Sequence, residues 1–233
     1  MAEPSEPTVL ITGATDGLGR AVAKNLAGRG AALLIHGRDE ERCRSTAADL
    51  EGATGNPRVR WERADFSSLD EVRAMAGRLL DSRSPIEALV NNAGVGTVLP
   101  GGGERLESQD GLELRFQVNY LSGYLLTGLL LPMLSERGRG RIVNVTSAGQ
   151  MAIDFDDPML ERDYNGTRAY CQSKLAQIMF TFDLAEELRD LELTANCLHP
   201  ASYMPTKIVF AARGSAVSSL EQGIEANGSA GRR

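Results

Sequence analysis

Tyr170 and Lys174 stand four residues apart in a stretch with helical spacing, so both side chains project from one face of a helix. An unperturbed tyrosine titrates near pH ~10 and is a poor base at neutrality. An ammonium one turn away favours the phenolate, which makes the pair an acid/base unit able to pass a proton to or from an oxygen. Ser147 follows an apolar run and offers a hydroxyl that can hydrogen-bond an oxygen as charge develops on it. Far upstream lies the run Thr12, Gly13, Ala14, Thr15, Asp16, Gly17, Leu18, Gly19. Glycines in such a turn let the backbone approach a pyrophosphate, whose charge the following helix N-terminus favours. The spacing is G-x-x-x-G-x-G, not the commoner G-x-G-x-x-G. Alone, a Tyr-x-x-x-Lys pair is an ordinary amphipathic surface and a glycine-rich turn is only a turn. Together with Ser147 they outweigh that bland reading.

These groups need a scaffold that brings residues 13–19 and 147–174 together. Short apolar runs at 8–12, 31–36, 58–62, 86–91, 141–146 and 193–198 read as six strands. Helical spacing fills 17–29, 39–50, 112–133 and 164–189. A further helix opens at Ser68 with Glu71 three residues on, the pattern of a capping box. Apolar strands alternating with helices predict one α/β domain, a doubly wound Rossmann-type parallel sheet covered on both faces. The expected strand order is 3-2-1-4-5-6. Beyond Ala201 no strand is expected, and 218–226 reads as a short helix. The segment 227–233 holds no β-branched or aromatic residue and reads as a flexible tail. The expected organisation is a flexible 1–7, a domain over 8–226 and that tail.

The 233 residues are 42% hydrophobic, enough for one large buried core, and the formal charge of −6 argues against a phosphate-backbone binder. Arg137, Arg139 and Arg141 run straight into an apolar strand and read as a solvated loop, so no nucleic-acid partner is expected. Cys43, Cys171 and Cys197 form no CxxC pair, and His36 and His199 have no ligand company. Neither disulfides nor a metal site is expected, which fits a reducing cytoplasm. The apolar stretch 120–134 is broken by Ser122, Gly123, Thr127, Gly128 and Pro132, too interrupted to span a bilayer, so no membrane partner is expected. A serine hydrolase built on Ser147 lacks a G-x-S-x-G elbow and a plausible histidine.

Four motifs occur in order: the T-G-x-x-x-G-x-G turn, Asn91-Asn92-Ala93-Gly94, Ser147 after the fifth strand, and Tyr170-x-x-x-Lys174. Together, over residues 8–206, they resemble the short-chain dehydrogenase/reductase family in its short single-domain branch. Phe116-Gln-Val-Asn119 and Ala169-Tyr170-Cys-Gln-Ser-Lys174 are most similar to retinol-dehydrogenase-like members. The resemblance implies an oxidoreductase that moves a hydride between a nicotinamide cofactor and a carbonyl or alcohol, a ketoreductase in one direction. It implies Tyr170 as general acid/base, Lys174 as its tuner and ribose holder, Ser147 as the carbonyl polariser and Asn119 in a proton relay from Lys174. Cofactor contacts are implied at Gly13, Thr15, Asp16, Gly17, Leu18, Gly19, Asp65, Phe66, Asn91, Ala93, Gly94, Pro200 and Thr206. The resemblance implies a seventh strand in relatives, which this sequence is expected to lack, and their Pro-Gly is Pro200-Ala201 here.

The second strand ends at Ile35-His36-Gly37-Arg38 without the acidic residue that binds a 2′-hydroxyl. Arg38 is suited to a 2′-phosphate instead, so NADP(H) is favoured over NAD(H), which stays open. Asp16 is not basic, so no second cation is visible at the glycine turn. The acidic segment 148–168 is expected to border the substrate entrance. By resemblance, the two long helices pair across a two-fold axis to give a homodimer. The rival reading is a catalytically silent dinucleotide-binding regulatory protein.

Overall fold

The computed structural model describes residues 8–82, 85–99, 104–136 and 138–230. Six parallel strands form one sheet: β1 (Thr8–Ile11), β2 (Ala32–Gly37), β3 (Val59–Arg63), β4 (Ile86–Asn91), β5 (Arg141–Val145) and β6 (Thr194–Leu198). Their order is β3-β2-β1-β4-β5-β6, as the alternation of elements predicts. The reversal between β1 and β4 opens a crevice beyond the carboxyl ends of the strands, where ligands bind in doubly wound sheets.

Neighbouring residues of one strand serve opposite faces. Leu10, Leu34, Leu89 and Ile142 join one core cluster with residues of α3 (Leu69–Ser82), α5 (Ser122–Ser135) and α6 (Gly166–Glu187). Ile11, Leu33, Ile35, Val90 and Val143 join a second with α1 (Gly17–Gly28), α2 (Glu40–Thr54) and α8 (Leu220–Ala230). This period of two, apolar on both sides, is what a sheet sandwiched between helices requires.

Several helices differ from their expected bounds. The run expected at 112–133 begins only after Glu113, whose carboxylate accepts the Phe116 amide at 2.7 Å and caps α4 (Leu114–Phe116). A π-helical stretch, Gln117–Leu121, then joins α4 to α5. By length and composition Leu114–Ser135 is apolar enough to cross a membrane. Here Leu126, Leu130 and Leu134 are fully buried in the core. The run expected at 164–189 starts at Gly166 because Asn165 caps it, its side chain accepting the Arg168 amide at 3.0 Å.

The Ser68 half of the expected capping box is present, since its hydroxyl accepts the Glu71 amide at 3.4 Å. The reciprocal half is absent. Glu71 instead accepts the Asp65 amide at 2.7 Å and pairs with Arg63 at 2.8 Å. At the C-terminal end, α8 runs on to Ala230 with Asn227 buried, so helix continues past 226 where a tail was expected. The expected flexible segment 1–7 and residues 231–233 lie outside the described residues. A short helix not anticipated from sequence, α7 (Lys207–Arg213), starts at Thr206, whose hydroxyl accepts the Val209 amide at 3.4 Å.

Candidate active site

The first turn is shaped by its glycines. Gly13 has φ +63°, and a Cβ there would meet the Ala93 backbone at 2.7 Å. A Cβ on Gly19 would lie 2.5 Å from the Gly13 carbonyl oxygen. Asp16 caps α1, its Oδ1 accepting the Gly17 amide at 2.8 Å. His36 supports the same turn from β2. Its Nδ1 accepts the Gly13 amide at 3.3 Å, its Nε2 lies 2.9 Å from the Ala64 carbonyl, and its ring stacks on Phe66 at 4.3 Å. Burial drives the His36 pKa down to about 4, so the imidazole is neutral and Nε2 carries the proton.

A cleft of about 990 Å³ runs along the carboxyl edge of the sheet. The first turn supplies Gly13, Thr15, Asp16, Gly17, Leu18 and Gly19 to its wall. Arg38, exposed, follows β2, and Asp65 and Phe66 follow β3. Ala93 and Gly94 follow β4, and Ser147, Tyr170, Lys174, Pro200 and Thr206 complete the other end. Asn91 does not belong to this wall. It is buried, and its amide donates to Thr127 Oγ1 at 2.9 Å and Asn144 Oδ1 at 2.8 Å. The cleft residue is Asn92, whose amide donates to the Thr12 carbonyl at 2.8 Å and the Gly13 carbonyl at 3.1 Å. The expected cofactor contact at Asn91 is thus corrected: successive residues at a strand end face opposite ways.

At the far end Tyr170 and Ser147 line the cleft together. Burial raises the Tyr170 pKa, and the nearby Ser147 hydroxyl opposes that rise. Lys174 is buried, and its ammonium donates to the Val145 carbonyl at 2.8 Å and to Gln177 Oε1 at 3.1 Å. Burial lowers its pKa to about 8. The expected downward pull of Lys174 on Tyr170 therefore does not appear in this arrangement. Asn119 sits in the π-helical stretch, with Oδ1 accepting the Val95 amide at 2.7 Å and Nδ2 donating to Ser173 at 2.9 Å. It holds the loop after β4 and stays behind the cleft wall.

A family model for short chain dehydrogenases matches residues 7–213. The chain belongs to the short-chain dehydrogenase family. It is 41% identical over 196 residues to retinol dehydrogenase 13 of Mus musculus, covering 83% of this chain and 57% of that protein. It thus spans under two thirds of the curated relatives it matches. Among solved structures, a short-chain dehydrogenase from Sphingobium yanoikuyae in complex with NADPH is 27% identical. Its TM-score is 0.76, over 95% of this chain and 82% of that one. An uncharacterized protein from Mycobacterium Paratuberculosis is 31% identical with a TM-score of 0.74, over 92% of this chain and 78% of that one.

Within the family frame the cleft fits a dinucleotide. The close approaches at Gly13 and Gly19 leave a backbone cradle at the N-terminus of a twelve-residue helix, suited to a pyrophosphate. Sequence reasoning missed Asn92, Arg42 and Lys207, all in the wall. The acidic segment is also less anionic than its sequence suggests, because Asp154 pairs with Arg168 at 3.2 Å and Asp157 with Arg162 at 3.4 Å. Among the described residues no cluster suited to a metal occurs.

Proposed function

We propose that the chain is an NADP(H)-dependent oxidoreductase acting on a carbonyl or the corresponding alcohol. The observation that carries this reading is that Ser147, Tyr170 and Lys174 line the same cleft as the glycine cradle and Arg38. A nicotinamide bound there would supply or accept the hydride. The chain's own residues manage the oxygen. Tyr170 Oη holds the proton that an alkoxide needs, and Ser147 donates a hydrogen bond to the same oxygen. Lys174 brings a positive charge to the buried end, and Asn119 fixes the loop that carries Gly94 and Val95. Arg38, exposed and without an ion pair among the described residues, favours a 2′-phosphate over a 2′-hydroxyl.

The substrate class is supported by the wall itself. Val118, Tyr203, Ile208 and Val209 give the cleft apolar surface, and Tyr203 and Ile208 are exposed. With relatives named as retinol dehydrogenases, this points to a bulky apolar alcohol or aldehyde. The three cysteines are free, in keeping with a cytoplasmic location.

The deciding experiment follows NADPH and NADH consumption over a panel of aldehydes, ketones and quinones that includes retinaldehyde. Turnover of apolar aldehydes with NADPH is expected. Tight NADPH binding with no turnover on any member would favour the silent regulatory protein instead.

A further inference from the structure

Asp16 gathers two cations that the chain supplies from distant places. Its Oδ2 accepts a hydrogen bond from the Arg42 guanidinium at 3.2 Å and lies 2.5 Å from Lys207 Nζ. Arg42 belongs to the first turn of α2, and Lys207 opens α7. Arg42 also reaches the Thr15 carbonyl at 3.5 Å. Arg38 lines the same cleft, while two cationic side chains, Arg42 and Lys207, pair with the one carboxylate beside the glycine turn. Burial alone would raise the Asp16 pKa, but Lys207, the Gly17 amide and Arg42 outweigh it and hold the group ionised.

A lone carboxylate at this point would repel a phosphate. Here Arg42 and Lys207, two cations against one carboxylate, overbalance it. The paired side chains are 46–79% exposed, and exposed ion pairs contribute little to folding. Stability is therefore a poor reason for their convergence from three elements.

We propose that Arg42 and Lys207 are binding residues for the 2′-phosphate end of the cofactor, and that Asp16 is the carboxylate with which this phosphate competes for them. The assignment rests on the reading of the cleft as an NADP(H) site and adds the residues that select the phosphate. A dianion draws a guanidinium and an ammonium more strongly than a carboxylate does. Lys207 also carries the contact into the segment after β6, where Thr206 packs beside Gly17 and Ile208 faces Gly96. Phosphate binding would thus draw that segment onto the cofactor.

Calorimetric titration with 2′,5′-ADP and 5′-ADP isolates this end of the cleft from turnover. Wild type, Arg42→Ala, Lys207→Ala and Asp16→Asn are compared. Arg42→Ala and Lys207→Ala should each weaken 2′,5′-ADP about tenfold and leave 5′-ADP unchanged. Asp16→Asn keeps a good helix cap while removing the competing charge, so it should tighten 2′,5′-ADP. Equal losses for both probes, no loss at either cation, or weaker 2′,5′-ADP binding in Asp16→Asn would overturn the assignment. A separate NADPH fluorescence titration of the wild type keeps the two readings apart. Failure to bind NADPH removes the proposed cofactor itself, whereas binding with unaltered variants removes only these residues.

Discussion

The Lys174 ammonium donates to Gln177 Oε1 at 3.1 Å, one turn further along α6, and to the Val145 carbonyl at 2.8 Å. Its positive charge is thereby satisfied by neutral acceptors inside the protein. Tyr170 meanwhile lines the cleft beside Ser147. Burial sets the direction of its titration, so the phenol stays protonated at neutral pH and is ready to donate. Tyr170→Phe should therefore lower kcat by about 10²–10⁴ while the affinity for NADPH, read by fluorescence, changes little. A variant that keeps most of its kcat would remove Tyr170 from the proton transfer.

Buried Lys174 also makes stability depend on pH in a definite direction. Its pKa falls from 10.5 to about 8 in the folded protein, so between those values the unfolded chain binds more protons. Stability then rises with pH through that window as the cost of the buried charge disappears. Lys174→Met removes the titration. The stability of Lys174→Met minus that of wild type should shrink by about 2–3 kcal/mol between pH 7 and pH 10. Urea unfolding at both pH values measures it, and a constant difference would show that Lys174 titrates normally.

Arg38 makes a simpler case. Arg38→Ala should weaken NADPH binding by about 1.5–3 kcal/mol and spare NADH, because only the former carries the 2′-phosphate. Parallel losses in the two titrations would assign Arg38 to the fold.

The sheet was legible because six apolar runs alternate with helical ones, and that alternation leaves few topologies. The Tyr170, Lys174 and Ser147 set was legible because a helix turn and a strand end fix their spacing. Other features depend on side-chain direction or on distant partners. Asn91 and Asn92 are chemically alike, and only the strand's exit decides which one faces the cleft. Glu71 has the capping-box position, yet the Asp65 amide and Arg63 lie nearer its carboxylate. Arg42 and Lys207 are 165 positions apart (207 − 42), and no local pattern announces that both meet Asp16. The α7 helix is only seven residues long, too short for a periodic signal.

We propose that α5 and α6 form a homodimer face. Tyr124 and Phe182 are 51% and 67% exposed, and Tyr124 packs edge-on to Phe180 at 4.9 Å. Large aromatic groups in the open are a common mark of a protein contact. Light scattering at micromolar concentration should give twice the 25.0 kDa chain mass, and Phe182→Asp should return it to one chain. A wild-type monomer at that concentration would refute the pairing.

His36 ties acid sensitivity to the cofactor turn. Its pKa drops from 6.5 to about 4 because burial disfavours the charged ring. Below pH 6.5 the unfolded chain gains a proton that the folded protein refuses until about 4, so stability falls as the solution is acidified through that window. The loss should reach about 2–3 kcal/mol by pH 4.5. Protonation would also place an N–H on Nδ1, opposite the Gly13 amide that it now accepts at 3.3 Å, and two donors cannot share that contact. Acid should therefore loosen the glycine cradle before it unfolds the sheet. In His36→Asn the denaturant-measured stability should fall less between pH 7 and pH 4.5 than in wild type, and NADPH affinity should lose its dependence on this titration. Equal acid losses in the two proteins would mean that His36 is not the group responsible.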